Sequence, residues 1–323
     1  MKSAQMKSYG SSEVIEITQN ASMPNNPSVG KVLVSVKAAG VNPIDWKIRE
    51  GYMQQMIPLQ FPSTLGMDFS GVIEKVGDSV SGLNPQDEIY GQAAVIKGGS
   101  GAFAEMALAN ADTIAHKPKT LNYEQSAGLP LVGVSAWQAL VETIAISKDQ
   151  KILIHGGAGG IGSIAIQLAK HQGANVATTA STNDTQFVKE LGADEVIDYK
   201  TQAFENVLSH DYDAVYDTIG GETYTRSFRV LKRGSGKIVS MLEQPKQELM
   251  DKFSVKAIYQ FTQVNRERLT KLAQWVDQNN IRVNIDRIFP LDQTAQAMDY
   301  QKDVHPRGKV VLAVQKGEIY DRS

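Results

Sequence analysis

The spacing of hydrophobic and polar positions changes partway along the chain. In the first third, apolar residues alternate with polar ones in short bursts. Lys31-Val-Leu-Val-Ser-Val-Lys37 reads as a half-buried strand that Gly30 punctuates at its start. Gly71-Val-Ile-Glu-Lys-Val76 is a second strand, followed by a turn through Gly77, Asp78 and Ser79. The segment Gly82–Gly91 is a turn that leads into a third. Short strands at this spacing predict a compact β-barrel or sandwich rather than strand–helix–strand units.

From Gln150 the period switches. Lys151-Ile-Leu-Ile-His155 is a short apolar strand, and Ile161, Ile164, Ala165 and Leu168 then recur at helical spacing. Asn175–Thr179 is the next strand, and Phe187, Val188 and Leu191 fall on a second helix. Glu195–Asp198, Ala214–Asp217 and Lys237–Ser240 continue the series, with Lys252–Tyr259 as a candidate last strand. Short apolar strands joined by helices predict a doubly wound α/β domain around a parallel sheet. The chain closes with Lys309–Val314, a strand with no helix after it, which we read as returning to the first domain. The expected organisation is therefore a barrel-like substrate domain from 1–124 and 286–323, interrupted by a dinucleotide-binding domain from 125–285.

Composition narrows the chemistry. Of the 323 residues, 42% are hydrophobic and 21% charged, as in a globular protein able to bury a large core. There is no cysteine, which removes disulfides, thiolate metal sites and cysteine nucleophiles. A reducing cytoplasm is the expected location. The net charge of −2 gives no long-range attraction to nucleic acid or anionic lipid. Neither a signal-like apolar segment nor a membrane-length apolar run is evident, so no membrane association is expected. The five histidines, at 116, 155, 171, 210 and 305, show no metal-ligand spacing, and His155 reads as a strand-end residue.

The most specific signal is Gly157-Ala158-Gly159-Gly160-Ile161-Gly162, which directly follows a strand and opens an amphipathic helix. Gly157 permits a tight turn, Gly159 lets backbone approach a pyrophosphate, and Gly162 lets helix and strand pack closely. The helix start then offers unpaired N–H groups and the positive end of its dipole to the anion. The second strand of the series continues into Ser181-Thr182-Asn183, without the acid that commonly grips the ribose 2′-hydroxyl of NADH. NADPH is accordingly expected over NADH. No Arg or Lys replaces the acid, so Ser181, Thr182, Asn183 and Tyr199 offer only neutral hydrogen bonds, and Asp184 is close enough to be unhelpful. Asp217, at the end of a strand, reads as a cap for the following turn.

Here the sequence resembles a known family. His155-Gly-Gly-Ala-Gly-Gly-Ile-Gly162 with Ile166-Gln-Leu-Ala-Lys170 is similar to the zinc-independent, zeta-crystallin-like quinone oxidoreductases of the medium-chain dehydrogenase/reductase superfamily. The likeness extends through Ala39–Arg49, Leu65–Gly71, Leu191–Tyr199, Tyr216–Gly221 and Arg307–Leu312, nearly end to end. It implies a GroES-like β-barrel substrate domain plus a Rossmann doubly wound domain. Zinc-dependent members carry metal ligands at positions that look like Asn42, Met67-Asp68 and Val132 here, so no zinc is expected. Without that Lewis acid, reduction of a quinone or other activated alkene is an easier reaction than alcohol oxidation.

The resemblance further implies cofactor contacts from the turn Gly157–Ile161, Ser181, Asn183, Tyr199 and Thr218. Asn42 and Asp45 would contact cofactor and substrate, with Arg307 or Lys309 as a source of positive charge. Asn42, Lys47 and Tyr52 are candidates for positioning the substrate. Relatives often carry Tyr at position 47, and Lys47 and Tyr52 read equally well as hydrogen-bond donors and as packing or solvated side chains. The substrate pocket would depend on the loops Gly51–Pro62 and Ile96–Gly101. The edge of the nucleotide sheet would pair with a second copy in a homodimer. Two other readings are an enoyl-thioester reductase, and an NADPH-binding sensor, stress protein or nucleic-acid binder with incidental reductase activity. The slightly negative charge counts against nucleic acid.

Overall fold

The computed structural model describes residues 1–56 and 58–315. The chain divides into two compact units, Met1–Leu131 with Val264–Ser323, and Val132–Gln263.

The first unit opens with β1 (Ser3–Met6) and β2 (Ile15–Thr18), an antiparallel pair. Next come β3 (Lys31–Val41), α1 (Pro43–Arg49), β4 (Ser63–Thr64), β5 (Asp68–Val76) and β6 (Glu88–Gln92). They are followed by β7 (Met106–Asn110), β8 (Ile114–His116) and α2 (Tyr123–Ala127). β3 runs four residues beyond its alternating stretch, through Ala38, Ala39 and Gly40. These residues are small because α2 lies against the strand: a Cβ on Gly40 would come within 2.3 Å of the Ala127 carbonyl oxygen. Val32, Val34, Val36, Phe69, Ile73 and Ile89 turn inward into the unit's core.

The second unit contains most of α3 (Pro130–Trp137) and the alternating series read from the sequence. β9 (Lys151–Ile154), α4 (Gly160–His171), β10 (Asn175–Ala180), α5 (Thr185–Glu190) and β11 (Glu195–Asp198) come first. α6 (Phe204–Val207), β12 (Ala214–Asp217), α7 (Gly221–Ser227) and β13 (Lys237–Ser240) follow. α8 (Gln247–Phe253) and β14 (Lys256–Tyr259) complete the unit. The sheet is parallel with order β11-β10-β9-β12-β13-β14. Numbered within the unit this is 3-2-1-4-5-6, the doubly wound order whose switch point lies between β9 and β12. Burial on both faces explains the unbroken apolar runs: every residue of β12 is buried.

The chain then returns to the first unit with α9 (Arg266–Asn279), β15 (Ile285–Pro290), α10 (Thr294–Asp303) and β16 (Lys309–Ala313). β16 pairs antiparallel with β3, as the closing apolar run predicts, in a seven-stranded sheet of order β15-β16-β3-β5-β6-β8 with β7 also on β3. The return comes earlier than the expected boundary at 285. α9 groups with the first unit because the Leu269 carbonyl accepts the Tyr90 hydroxyl (2.7 Å) and the Asp277 carboxylate takes the Thr120 amide and hydroxyl. The expected segment 286–323 ends in eight residues, 316–323, that lie outside the described residues.

Candidate active site

In the second unit the glycine-rich turn joins β9 to α4 at the switch point. Gly157 and Gly162 are required by the protein itself. A Cβ on Gly157 would come within 2.2 Å of the Thr178 hydroxyl oxygen, and one on Gly162 within 2.2 Å of the Gly156 carbonyl oxygen. Gly159 differs: a Cβ there meets nothing closer than 3.4 Å, and its φ of −74° suits any residue. It is the N-cap of α4 and supplies no side-chain cap, so the first amides of the helix, from Gly160 and Ile161 onward, keep their N–H groups for an anion. Ala158, Gly159, Gly160 and Ile161 are all partly solvent-accessible. The residues therefore fit a dinucleotide pyrophosphate.

Beneath the turn lies a polar relay that sequence reasoning missed. The Gly156 amide donates to the Thr179 hydroxyl oxygen (3.1 Å), which in turn meets His155 Nδ1 (3.2 Å). His155 Nε2 lies 2.8 Å from the Ser227 hydroxyl, which donates to the Thr223 carbonyl. These partners suit one tautomer, with the proton on Nε2. Burial, with the nearby Arg226 charge, drives the His155 pKa down to about 3. The ring is thus a neutral strut under the turn rather than a catalytic base. Thr218, at the end of β12, donates its hydroxyl to the His155 carbonyl (2.9 Å) and ties the two strands at the switch point. Asp217 caps the following turn, accepting from the Ile219 and Gly220 amides.

Ala180 and Asp198 are register partners at the ends of β10 and β11. Just beyond them, Ser181 donates to Asp184 (2.6 Å) and Thr182 to Asp198. Asn183 and Tyr199 are exposed beside these pairs.

In the first unit, Asn42 ends β3 and begins α1. Its amide donates to Asp45 Oδ2 (2.7 Å), and its side-chain Nδ2 donates to Asp68 Oδ2 (3.0 Å). Asp68 also accepts from Gln92 Nε2 (2.8 Å) and from the Leu131 amide (3.0 Å). Lys309 Nζ completes the cluster by donating to the Val41 carbonyl (2.7 Å) and to Asn42 Oδ1 (2.5 Å). Asn42, Asp45, Asp68, Gln92 and Lys309 are all buried. Burial raises the Asp68 pKa and lowers that of Lys309, while their mutual attraction opposes both shifts. Asp45 is pushed up to about 7, chiefly by burial, with the Asn42 N–H opposing and the Asp68 charge reinforcing. Asp68 and Gln92 were not among the expected site residues. The only hint was that Asp68 falls on a zinc-ligand position of metal-dependent members.

The structure thus brings Asn42, Asp45 and Lys309 together, with Lys309 turned inward onto Asn42. Lys47 and Tyr52 are placed elsewhere, around Trp46: the Lys47 ammonium sits 5.6 Å from the ring centroid and the Tyr52 ring packs edge-on at 6.1 Å. Tyr52 is 74% exposed. The Arg307 backbone is pinned by Asn284 and Asp286. Asp45 also lines a narrow cleft with Ile48, Leu65 and Met67, to which the two expected pocket loops contribute Leu59 and Ile96. Its free space of ≈ 20 Å³ is about that of one water molecule.

A doubly wound nucleotide unit that carries a glycine-rich turn at its switch point, and that interrupts in sequence a mainly antiparallel β unit, defines a dehydrogenase or reductase. Residues 28–119 match the alcohol dehydrogenase GroES-like domain, and residues 191–312 match a model described as zinc-binding dehydrogenase. The chain is 34% identical to the mouse (Mus musculus) NAD(P)H oxidoreductase RTN4IP1, mitochondrial, across 95% of this chain and 87% of that one. It is 35% identical to an Arabidopsis thaliana NADPH-dependent alkenal/one oxidoreductase, chloroplastic, across 97% and 79%. A solved quinone oxidoreductase from Coxiella burnetii superposes with TM-score 0.88 at 34% identity, covering 98% of this chain and 99% of that one. The chain belongs to the medium-chain dehydrogenase/reductase superfamily, in its zinc-independent quinone oxidoreductase-like branch, and is an enzyme of the quinone oxidoreductase and alkenal/one oxidoreductase type.

Proposed function

We propose that this enzyme reduces quinones or α,β-unsaturated carbonyls with hydride from a reduced nicotinamide dinucleotide. The observation that carries the cofactor half is the turn at the 3-2-1-4-5-6 switch point, where Gly159 lacks a side chain that packing alone would tolerate. The acceptor half rests on the relatives named above, one an alkenal/one oxidoreductase and one a quinone oxidoreductase. NADPH is the form in the name of the plant relative and is the form we carry over first. A cytoplasmic location belongs to this reading too, on the cysteine-free composition alone. The two relatives whose names give a compartment are mitochondrial and chloroplastic. Among the described residues, no helix is long and apolar enough to cross a membrane.

When bound, the nicotinamide supplies the hydride, and the acceptor becomes an enolate or hydroquinone anion that then takes a proton. The turn amides of α4 hold the pyrophosphate, with Thr218 and the His155 strut keeping the turn in shape. Asn42, fixed at Oδ1 by Lys309 and at Nδ2 by Asp68, sets the start of α1. That helix carries Asp45, a carboxyl that holds a proton near neutral pH, and Lys47, a donor on the solvent side. Zinc does not fit this donor set. Asn42 and Asp68 already bind each other, and the Lys309 ammonium on Asn42 Oδ1 would repel a divalent ion.

The test is oxidation of NADPH and of NADH with 1,4-benzoquinone, 9,10-phenanthrenequinone, a short 2-alkenal and 3-buten-2-one, with chelator present. Turnover well above the no-enzyme rate and unchanged by chelator is expected, and the preferred acceptor separates the two substrate classes. No turnover with any acceptor, in protein that binds a dinucleotide, would overturn the reductase reading.

A further inference from the structure

Each polar atom of His155 meets a different part of the nucleotide unit. Its amide donates to the Tyr216 carbonyl of β12 (3.0 Å), and its carbonyl accepts the Thr218 hydroxyl just beyond that strand (2.9 Å). The ring reaches Thr179 of β10 through Nδ1 (3.2 Å) and Ser227 of α7 through Nε2 (2.8 Å). Phe204 of α6 packs edge-on against it, 4.7 Å between centroids. His155, Thr179 and Ser227 are all buried. Packing alone does not call for this arrangement, because a buried polar network stabilises only when each member finds its partner.

The hydrogen bonds through the ring run in one direction. The Gly156 amide donates to the Thr179 hydroxyl oxygen, which leaves the Thr179 proton for Nδ1. The Ser227 proton goes to the Thr223 carbonyl, which leaves the Ser227 oxygen to accept from Nε2. The other tautomer would turn a ring lone pair toward the Ser227 lone pair. At the far end the relay fixes a peptide rather than a side chain. Gly156 has φ +69°, its carbonyl accepts the Gly159 amide (3.0 Å), and it fills the space that a Cβ on Gly162 would need. Thr179 also holds the Gly157 amide on its own carbonyl (3.0 Å). The amides of Gly156, Gly157 and Gly159 are thereby turned inward, and those at the start of α4 are left to face an anion.

We infer that His155 is a positioning residue for dinucleotide binding: the relay from Thr223 and Ser227 through His155 and Thr179 to the Gly156 amide holds the glycine-rich turn in its pyrophosphate-binding shape. This rests on the dinucleotide reading above. It gives α7, which follows the strand on the other side of the switch point, a share in the affinity of a turn to which it contributes no residue. Removing a link leaves a buried group unpaired and frees the Gly156 peptide, and a hydrogen bond lost in this way weakens binding about fivefold.

The experiment is a titration of NADPH on the full chain, read by energy transfer from protein fluorescence, with ADP-ribose and adenosine as displacing ligands. Ser227→Ala and Thr179→Val are each expected to raise the Kd for NADPH and ADP-ribose about fivefold, while Thr179→Ser, which keeps the hydroxyl, restores most of the affinity. Adenosine has no phosphate and is expected to lose less than about twofold. An equal loss for adenosine would mean general damage to the unit and overturns the positioning role, as does unchanged NADPH and ADP-ribose affinity in folded variants. Wild-type protein labelled with nitrogen-15 histidine gives an arm that needs no variant. Long-range nitrogen–proton spectra near neutral pH should show His155 neutral with its proton on Nε2, and the Nδ1 tautomer or an imidazolium overturns the inference. All these outcomes leave the dinucleotide reading standing. A wild type that binds neither NADPH nor NADH overturns that reading and the inference with it.

Discussion

Asp45 shows how far a single residue's behaviour can depart from its type. On sequence it is an acid in the first turn of a short helix, but in the fold it is buried with its pKa raised to about 7. The folded protein keeps this proton between about pH 4 and 7, where the unfolded chain has released it. The resulting stabilisation is full below about pH 4 and lost as pH rises through 7. Asp45→Asn retains an acceptor for the Asn42 amide and has no proton to lose. Its unfolding free energy from urea titrations should therefore fall less between pH 5 and pH 8 than the wild type's, by on the order of 1 kcal/mol or more. Parallel pH profiles would refute the shift. Lys309 is the companion case. Lys309→Met strands the buried Asp68 carboxylate and leaves Asn42 Oδ1 without its donor, and is expected to cost about 3–5 kcal/mol. Adding Asp68→Asn should recover part of that loss. Simple additivity in denaturant titrations of the single and double variants would show that the charges are not coupled.

At the scale of an element, the β9–α4 turn separates packing from binding. Gly162→Ala drives a Cβ into the Gly156 carbonyl and is expected to lower both stability and dinucleotide affinity. Gly159→Ala meets no such clash. It should cost at most about 1 kcal/mol, the N-cap preference of Gly over Ala, while weakening dinucleotide binding at least about tenfold. Thermal melts paired with binding titrations check this, and equal binding by wild type and Gly159→Ala would remove the ligand role of that glycine. The turn was legible in sequence because its glycines, strand and helix are contiguous. The relay through Thr179, His155, Ser227 and Thr223 was not, because it joins three elements whose positions are set by strand order. Asp184 stands four residues past the end of β10 and is visible beside the neutral run in sequence, whereas Asp198 reaches its place only through β10–β11 register.

For the molecule as a whole, β14 is the outer strand of the parallel sheet, and among the described residues no strand pairs with its outward ladder. The Lys256 and Gln260 amides point to β13, so by alternation the Ala257 and Tyr259 amides face outward. We propose a homodimer through this edge. Tyr259→Pro removes an outward donor without touching the inner ladder, and light scattering should read about twice 35.2 kDa for the wild type and the single mass for the variant. A wild-type monomer would refute the pairing. Features carried by neighbours in the chain were legible in the amino acids alone. These are the alternating and helical periods, the strand–glycine–helix turn, the closing apolar strand and the absence of cysteine. They define the family and both kinds of unit. Whatever depends on distant residues meeting came from the folded chain. It assigned α9 to the first unit through Tyr90 and Thr120, turned Lys309 inward to Asn42, and brought Asp198 of β11 to the Thr182 hydroxyl beyond β10. The physical reason is that burial and charge pairing are properties of an environment, and the environment of Lys309 is assembled from positions as far away as 41, 42, 45 and 68.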